Sequence, residues 1–402
     1  MRRPIALACL ALLAVASTSA AQAPPPARQL AQDAVIVDTH IDSPTELLKH
    51  WNDLGTPSPT TEFDYPRARE GGLDVAFMSI YTSPDDDAAG KAWQVANQQI
   101  DAVEALAARH PGKFALLRSA GDLERLRAGG RVLLALGMEN GAPIGDDLAQ
   151  LAHFHARGVR YITLAHSQDN RISDSSYALT RRWGGLSPFG EQVVARMNRL
   201  GMMVDVSHLS DDAVADVLRI TDVPVIASHS GMRHFTPGFE RNLGDELAAA
   251  IAAEGGVVQI VFGSAFIDAR AAANTQAYFR AEAELHRDNA AALAAGKPTR
   301  SSADFDTAWE AAHPAVPTQV GAVLDQIDHA VKVAGIDHVG IGSDFDGVGG
   351  ELPEGLRSVA DYPNLVAGLQ SRGYADGDIG KILGGNVLRV WRAVEAGALP
   401  QP

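Results

Sequence analysis

Short continuous apolar runs alternate along the chain with longer stretches in which apolar residues recur every three to four positions. Eight of the runs have strand length: Ala34–Val37, Val75–Ile80, Val132–Leu136, Val159–Ala165, Met202–Val206, Val223–Ala227, Val257–Val261 and His338–Ile341. Most are apolar at successive positions rather than at every second one, as parallel strands are when both faces are covered. The helical period shows between them in Ala92–Arg109, Phe189–Leu200 and Asp211–Arg219, the last preceded by Ser210 as an N-cap. Phe114–Leu117 suits one extra short strand. Eight strands alternating with helices predict an α/β fold, a closed (β/α)8 TIM-type barrel rather than an open sheet. The segment 262–337 is too long for a single connection and predicts inserted helices after strand 7, beside the barrel mouth.

The pattern breaks at the N-terminus. Arg2 and Arg3 precede an apolar stretch, Ile5 to Ala16, and then the small residues Thr18-Ser19-Ala20. This predicts a signal peptide over residues 1–20, cut after Ala20, and export to the periplasm or beyond. The stretch is too short for an integral membrane span. Residues 21–32, with Pro24-Pro25-Pro26, predict an extended leader, and residues 33–395 a single domain. Cleavage would remove Cys9, the one cysteine, and with it any disulfide or thiol nucleophile. The chain carries 49 acidic against 34 basic residues, a net charge of −15, without Lys/Arg clusters. Nucleic acid and anionic membranes repel such a chain, so a small-molecule substrate is the expectation.

Candidate chemistry collects at the strand ends. His40 and Asp42 follow the first run and, two positions apart, share a face. Glu139 ends the third, His166 the fourth, His208 the fifth, His229 the sixth and Asp344 the eighth. Any one of them alone reads as a turn or hydrogen-bonding residue. Together they fall on one rim, the C-terminal face where barrel enzymes collect their functional groups. Imidazole and carboxylate without thiolate suit zinc, and the donors are too many for one tetrahedral ion. Two Zn2+ ions sharing a carboxylate follow as the natural reading. His153 and His155 lie on a helix and His338 begins its strand at the opposite end, so none of these three is expected to ligate.

The segments Asp38-Thr39-His40-Ile41-Asp42, Gly137-Met138-Glu139, Leu164-Ala165-His166, Val204-Asp205-Val206-Ser207-His208, Val225-Ile226-Ala227-Ser228-His229-Ser230, Arg241-Asn242 and Gly342-Ser343-Asp344-Phe345-Asp346-Gly347 carry a further signal. Through them the chain resembles the membrane (renal) dipeptidases of the amidohydrolase superfamily, from about Asp33 to Trp391. The resemblance implies zinc-dependent hydrolysis of the peptide bond of dipeptides. It implies that His40 and Asp42 hold one zinc, His208 and His229 the other, and that Glu139 bridges them. His166 would polarise the scissile carbonyl, Arg241 would hold the substrate's terminal carboxylate, and Asp344 would move protons beside the substrate amine. Relatives are often homodimers, and one formed here would have no disulfide link.

The chain departs from the family pattern at Thr39 and Ile41, at Thr45, and at Val261-Phe262-Gly263. None of these is a ligand, so the departures bear on side-chain preference. The polar loop Ser167–Pro188 is expected to cover the substrate. Two other readings stay open: a related binuclear amidohydrolase acting on an N-acyl amino acid or a β-lactam, and a noncatalytic periplasmic binding protein on the same barrel.

Overall fold

The computed structural model describes residues 25–399 other than 179, so the expected signal peptide lies outside the described residues. Among the described residues nine parallel strands form: β1 (Ile36–Ile41), β2 (Leu73–Tyr81), β3 (Phe114–Leu116), β4 (Val132–Glu139), β5 (Val159–Thr163), β6 (Met203–Asp205), β7 (Ile226–Ser230), β8 (Val257–Ile260) and β9 (Val339–Ile341). Their spatial order is β1-β2-β4-β5-β6-β7-β8-β9, with β3 paired outside this path to β4. The ring closes nearly completely. A parallel bridge joins Ile41 to Phe345, and backbone bonds run from Asp42 N to Phe345 O (2.8 Å) and from Asp344 N to His40 O (3.0 Å). The fold is the expected (β/α)8 barrel.

Strand alternation sorts the apolar side chains into two sets. Val37, Val75, Phe77, Leu133, Ala135, Tyr161, Met203, Ile226 and Val257 form one cluster, completed by Val387, Trp391 and Val394 of the last helix, Asn386–Ala396. That helix plugs the end of the barrel where the strands begin. Intervening residues such as Ala76, Met78, Leu134, Leu136, Ile162 and Val204 belong to a larger cluster shared with the surrounding helices. Between the plugged floor and the open rim lies a polar layer. Thr39 Oγ1 donates to Ser228 O (2.6 Å) and accepts from Gln259 Nε2 (3.3 Å), so this departure from the family pattern ties β1 to β7 and β8.

Two expectations need correction. Residues 25–32 are not extended: Pro25–Asp33 is a helix, with Ala27 and Ala31 fully buried in the larger cluster. Proline is tolerated in the first turn of a helix, where its missing N–H would have no partner anyway, and here it starts one. The domain therefore begins before residue 33. The sixth predicted run, Val223–Ala227, is displaced, for β7 covers Ile226–Ser230. Pro224 cannot donate to a ladder, whereas the polar Ser228-His229-Ser230 can continue one. The insertion after the seventh barrel strand is present as the helices Ser264–Ile267, Ala269–Ala294 and Ser302–Ala312.

Candidate active site and metal centre

The rim residues converge on Glu139. Its Oε1 lies 3.1 Å from His208 Nε2, 3.3 Å from His229 Nε2 and 3.5 Å from His166 Nε2. Its Oε2 lies 3.3 Å from His40 Nε2, which is also 3.3 Å from Asp42 Oδ2. Three overlapping groups hold donor atoms within 4.8 Å of one another: His40, Glu139 and His229; Glu139, His166 and His208; His40, Asp42 and Asp344. All seven residues expected from the strand ends are thus brought together. The geometry also sets His166 as close to the centre as the ligand candidates, although the sequence resemblance gave it a different role.

Backbone strain marks the same places. His208 (φ 68°) and Asp344 (φ 66°) are left-handed without being glycine, as is Asn140 (φ 72°) just after Glu139. Such conformations persist only where surrounding bonds fix them. At Asn140 its own side chain does so, donating to Thr82 O (3.0 Å) and accepting from Ala142 N (3.2 Å); beside Asp344 and His208 the fixing groups are two buried acids. Asp38 accepts from the backbone N–H of His40 and of Ser343 (both 3.0 Å) and from the Tyr362 hydroxyl. Asp205 accepts from the N–H of Ser207 (3.0 Å) and Ser228 (2.8 Å), and from the hydroxyls of Thr163 and Ser228.

These partners also set the histidine tautomers. The Ser228 hydroxyl gives its proton to Asp205 (2.6 Å), so the His229 Nδ1–H donates to it (2.8 Å) and Nε2 keeps its lone pair. The Tyr161 hydroxyl donates to Thr39 O (2.9 Å), so His40 Nδ1–H donates to it (2.9 Å). His40 Nε2 is then a buried lone pair with no hydrogen-bond partner. The Nε2 atoms of His208 and His229 face each other at 2.9 Å. Lone pairs and carboxylates aimed at one space require positive charge there, and a metal ion fits this donor set.

Electrostatics agree for His208 and His229, whereas His40 is raised well above the usual imidazole range: burial lowers it, but Tyr161, Asp42 and Glu139 outweigh burial and draw positive charge to the same spot. Burial, then Arg241 and His166, hold His208 well below the usual imidazole range, and burial, His40 and Arg241 do the same to His229, keeping both in the neutral, ligating form. Burial pushes the Glu139 carboxyl up, but the surrounding imidazoles prevail and hold it well below the usual carboxylate range. Asp344 moves the other way, raised well above its ordinary value by burial and by Asp42. Beside these groups opens a cavity of about 350 Å³, lined by the acids Asp42, Glu46 and Asp344 and by the aromatic Tyr81, Tyr177, Phe266 and Phe279.

The profile of the family Membrane dipeptidase (Peptidase family M19) matches residues 26–401. The chain belongs to the membrane dipeptidase family. A dipeptidase of Schizosaccharomyces pombe described as uncharacterized, C965.12, is 32% identical over 394 residues, 92% of this chain and 83% of its own. The probable dipeptidase PvdM of Pseudomonas aeruginosa has the same fold with a TM-score of 0.81, at 29% identity, over 93% of this chain and 98% of its own. A metallopeptidase from Rhodobacter sphaeroides, solved with a phosphinate mimic of the dipeptide L-Ala-D-Ala, gives a TM-score of 0.72 at 27% identity over 90% and 99% of the two chains. The chain is accordingly a metallo-dipeptidase, with a metal cofactor held among the rim histidines and carboxylates. No helix among the described residues is long and apolar enough to cross a membrane.

Arg241 of the dipeptidase is buried, at 2% exposure, behind the rim. Its Nη2 donates to His229 O (2.8 Å) and its Nη1 to Ser230 Oγ (3.2 Å), while its Nε has no partner. Sequence reasoning quoted Asp38 and Asp205 without a role, and missed Tyr81, Tyr161 and Tyr177. Tyr81 follows directly on the second predicted run, so its rim position was readable; its ring stands 4.7 Å from that of His166. Tyr161 falls inside a predicted strand and reads as core. Tyr177 lies in a loop, where no period points to it.

Proposed function

We propose that this dipeptidase uses two zinc ions, one held by His40 and Asp42 and one by His208 and His229, with Glu139 shared between them. The observation that carries this reading is the position of Glu139, whose Oε2 lies 3.3 Å from His40 Nε2 while its Oε1 lies within 3.3 Å of His208 Nε2 and His229 Nε2. Bound zinc supplies Lewis acidity and lowers the pKa of water near neutrality. The protein's own groups do the rest. His166, which burial keeps neutral at ordinary pH, is a hydrogen-bond donor for the carbonyl oxygen as charge develops on it. Asp344, raised by burial and Asp42, can hold a proton and return it to the departing amine. Arg241, buried and without a carboxylate partner among the described residues, suits the substrate's terminal carboxylate. The R. sphaeroides relative bound a mimic of L-Ala-D-Ala, which supports a dipeptide in the cavity and makes Ala-Ala a first substrate to assay. The N-terminal pattern of Arg2, Arg3 and the apolar stretch after them supports export of the enzyme.

Elemental analysis of the purified enzyme should find close to two zinc ions per chain. Chelation should abolish dipeptide hydrolysis and zinc should restore it. A metal-free preparation with full activity would overturn the reading, and one tightly bound ion with full activity would overturn its count of two.

A further inference from the structure

We infer that Tyr177 is a further substrate-binding residue, its hydroxyl donating a hydrogen bond to the terminal carboxylate of the bound dipeptide beside Arg241. This rests on the proposed carboxylate role of Arg241 and names the second donor of that subsite. Tyr177 lines the cavity. Its ring centroid lies 5.9 Å from that of His208, 5.9 Å from Phe239 and 4.3 Å from Phe279 of the inserted helix Ala269–Ala294. Three separate elements therefore hold one ring against the metal centre. The hydroxyl makes no hydrogen bond to any described residue, and Tyr177 and Arg241 share one aromatic cluster, for Phe239 beside the tyrosine stacks 6.1 Å from Phe266, the ring under the Arg241 guanidinium. A phenol is neutral at ordinary pH and keeps a proton to donate.

Arg241 presents the complementary deficit. Its guanidinium packs over the Phe266 ring at 5.0 Å and its Nε is bare. A buried cation without a counter-charge is costly, and a bound carboxylate relieves that cost. Two donors on one aromatic cluster, neither of them saturated by the protein, suit an anion with two oxygens.

The loop after β5 is built to hold Tyr177 in place before substrate arrives. Asp174, fully buried, accepts from the backbone N–H groups of Arg182 (3.0 Å), Trp183 (2.9 Å), Gly184 (2.7 Å) and Gly185 (3.0 Å). Ser175 Oγ accepts from Tyr177 N (3.1 Å) and donates to the carbonyl of His166. The tyrosine is thereby tied through one side chain to the residue proposed to meet the scissile carbonyl. Such pre-organisation lowers the ordering cost of binding.

The test measures inhibition constants for a phosphinate dipeptide analogue with a free carboxylate and for its methyl ester, using the zinc-loaded enzyme and Tyr177→Phe. Wild type should prefer the acid. Tyr177→Phe should lose about ten-fold or more in affinity for the acid and almost none for the ester, with metal content unchanged. Phe279→Ala, which loosens the ring, should give a smaller loss confined to the acid. Equal losses for acid and ester, or none for either, would overturn the inference; equal losses would mean that Tyr177 acts through Asp344 or by packing alone. A wild-type enzyme that hydrolyses dipeptides but does not distinguish acid from ester would instead remove the carboxylate subsite itself, and the inference with it.

Discussion

His166 and Glu139 lie 3.5 Å apart, yet the proposed mechanism gives them different duties, and their replacements should separate them. Among the described residues, Glu139 is the one side chain in ion-pair distance of His40, His166, His208 and His229 at once. Glutamine preserves its shape but loses the charge that two cations would share, so Glu139→Gln should lose metal from the whole centre. His166→Ala should keep its metal and lose turnover, since deleting one oxyanion donor typically costs about 10²–10³ in rate. Metal counting beside steady-state kinetics on both variants checks this. Loss of an ion from His166→Ala would make it a ligand, as its place in the cluster with Glu139 and His208 allows. The residues legible in the sequence were those whose type is rare in a strand end and whose position repeats, namely imidazoles and acids on one rim. Tyr161 was missed and Asp205 was given no role because a tyrosine in an apolar run and an acid before a turn look ordinary. Only the fold reveals that one orients His40 and the other braces β7.

The turn Asp344-Phe345-Asp346-Gly347 shows how a connecting element can be as constrained as a core. Asp344 and Asp346 both adopt left-handed backbone (φ 66° and 67°). The Asp346 carboxylate is held by the Ser43 hydroxyl and by the N–H of Glu62, and its own N–H donates back to Glu62. Within this turn a Cβ on Gly347 would lie 2.4 Å from Asp42 Oδ2 and 2.3 Å from Asp344 Oδ1. Those atoms end short side chains and can move, so Gly347→Ala should fold normally with both carboxylates displaced. A misplacement of roughly 1 Å can cost about 10²-fold in rate, and a loss of that order is expected, with an unchanged circular dichroism spectrum. A fully active Gly347→Ala would show that the packing of these two carboxylates is not critical. Element boundaries were less legible than the turn's motif. Apolar runs ended where the polar rim residues begin, so β1 and β7 were drawn short of His40 and His229. The ladder itself continues, because Asp38, Asp205 and Ser228 satisfy the polar groups that a hydropathy pattern counts as loop.

At the scale of the molecule, the strand count, the barrel and the insertion after its seventh strand were readable from alternation alone. The plug by Asn386–Ala396 and the N-terminal helix were not, since neither belongs to the repeating strand–helix pattern. These two features decide how stability is shared between the core and the metal centre. The core is continuous without any ligand: Phe77 meets Trp391 at 5.1 Å inside the barrel, and the outer cluster runs from Ala27 to Leu383. The rim donors sit at the opposite end, on strand termini already fixed by Asp38 and Asp205. Removing metal should therefore leave the fold intact at room temperature while lowering the melting temperature. A ligand that binds only the folded chain stabilises it by about 4 kcal/mol at a free concentration a thousand times its Kd. Thermal unfolding followed by far-ultraviolet circular dichroism, with chelator and with added zinc, should show native spectra in both at 25 °C and a midpoint several degrees higher with zinc. Collapse of the spectrum on chelation would mean that the converging lone pairs and carboxylates of the rim cannot be tolerated without their cation, and that the metal, not the plugged barrel, holds the strand ends together.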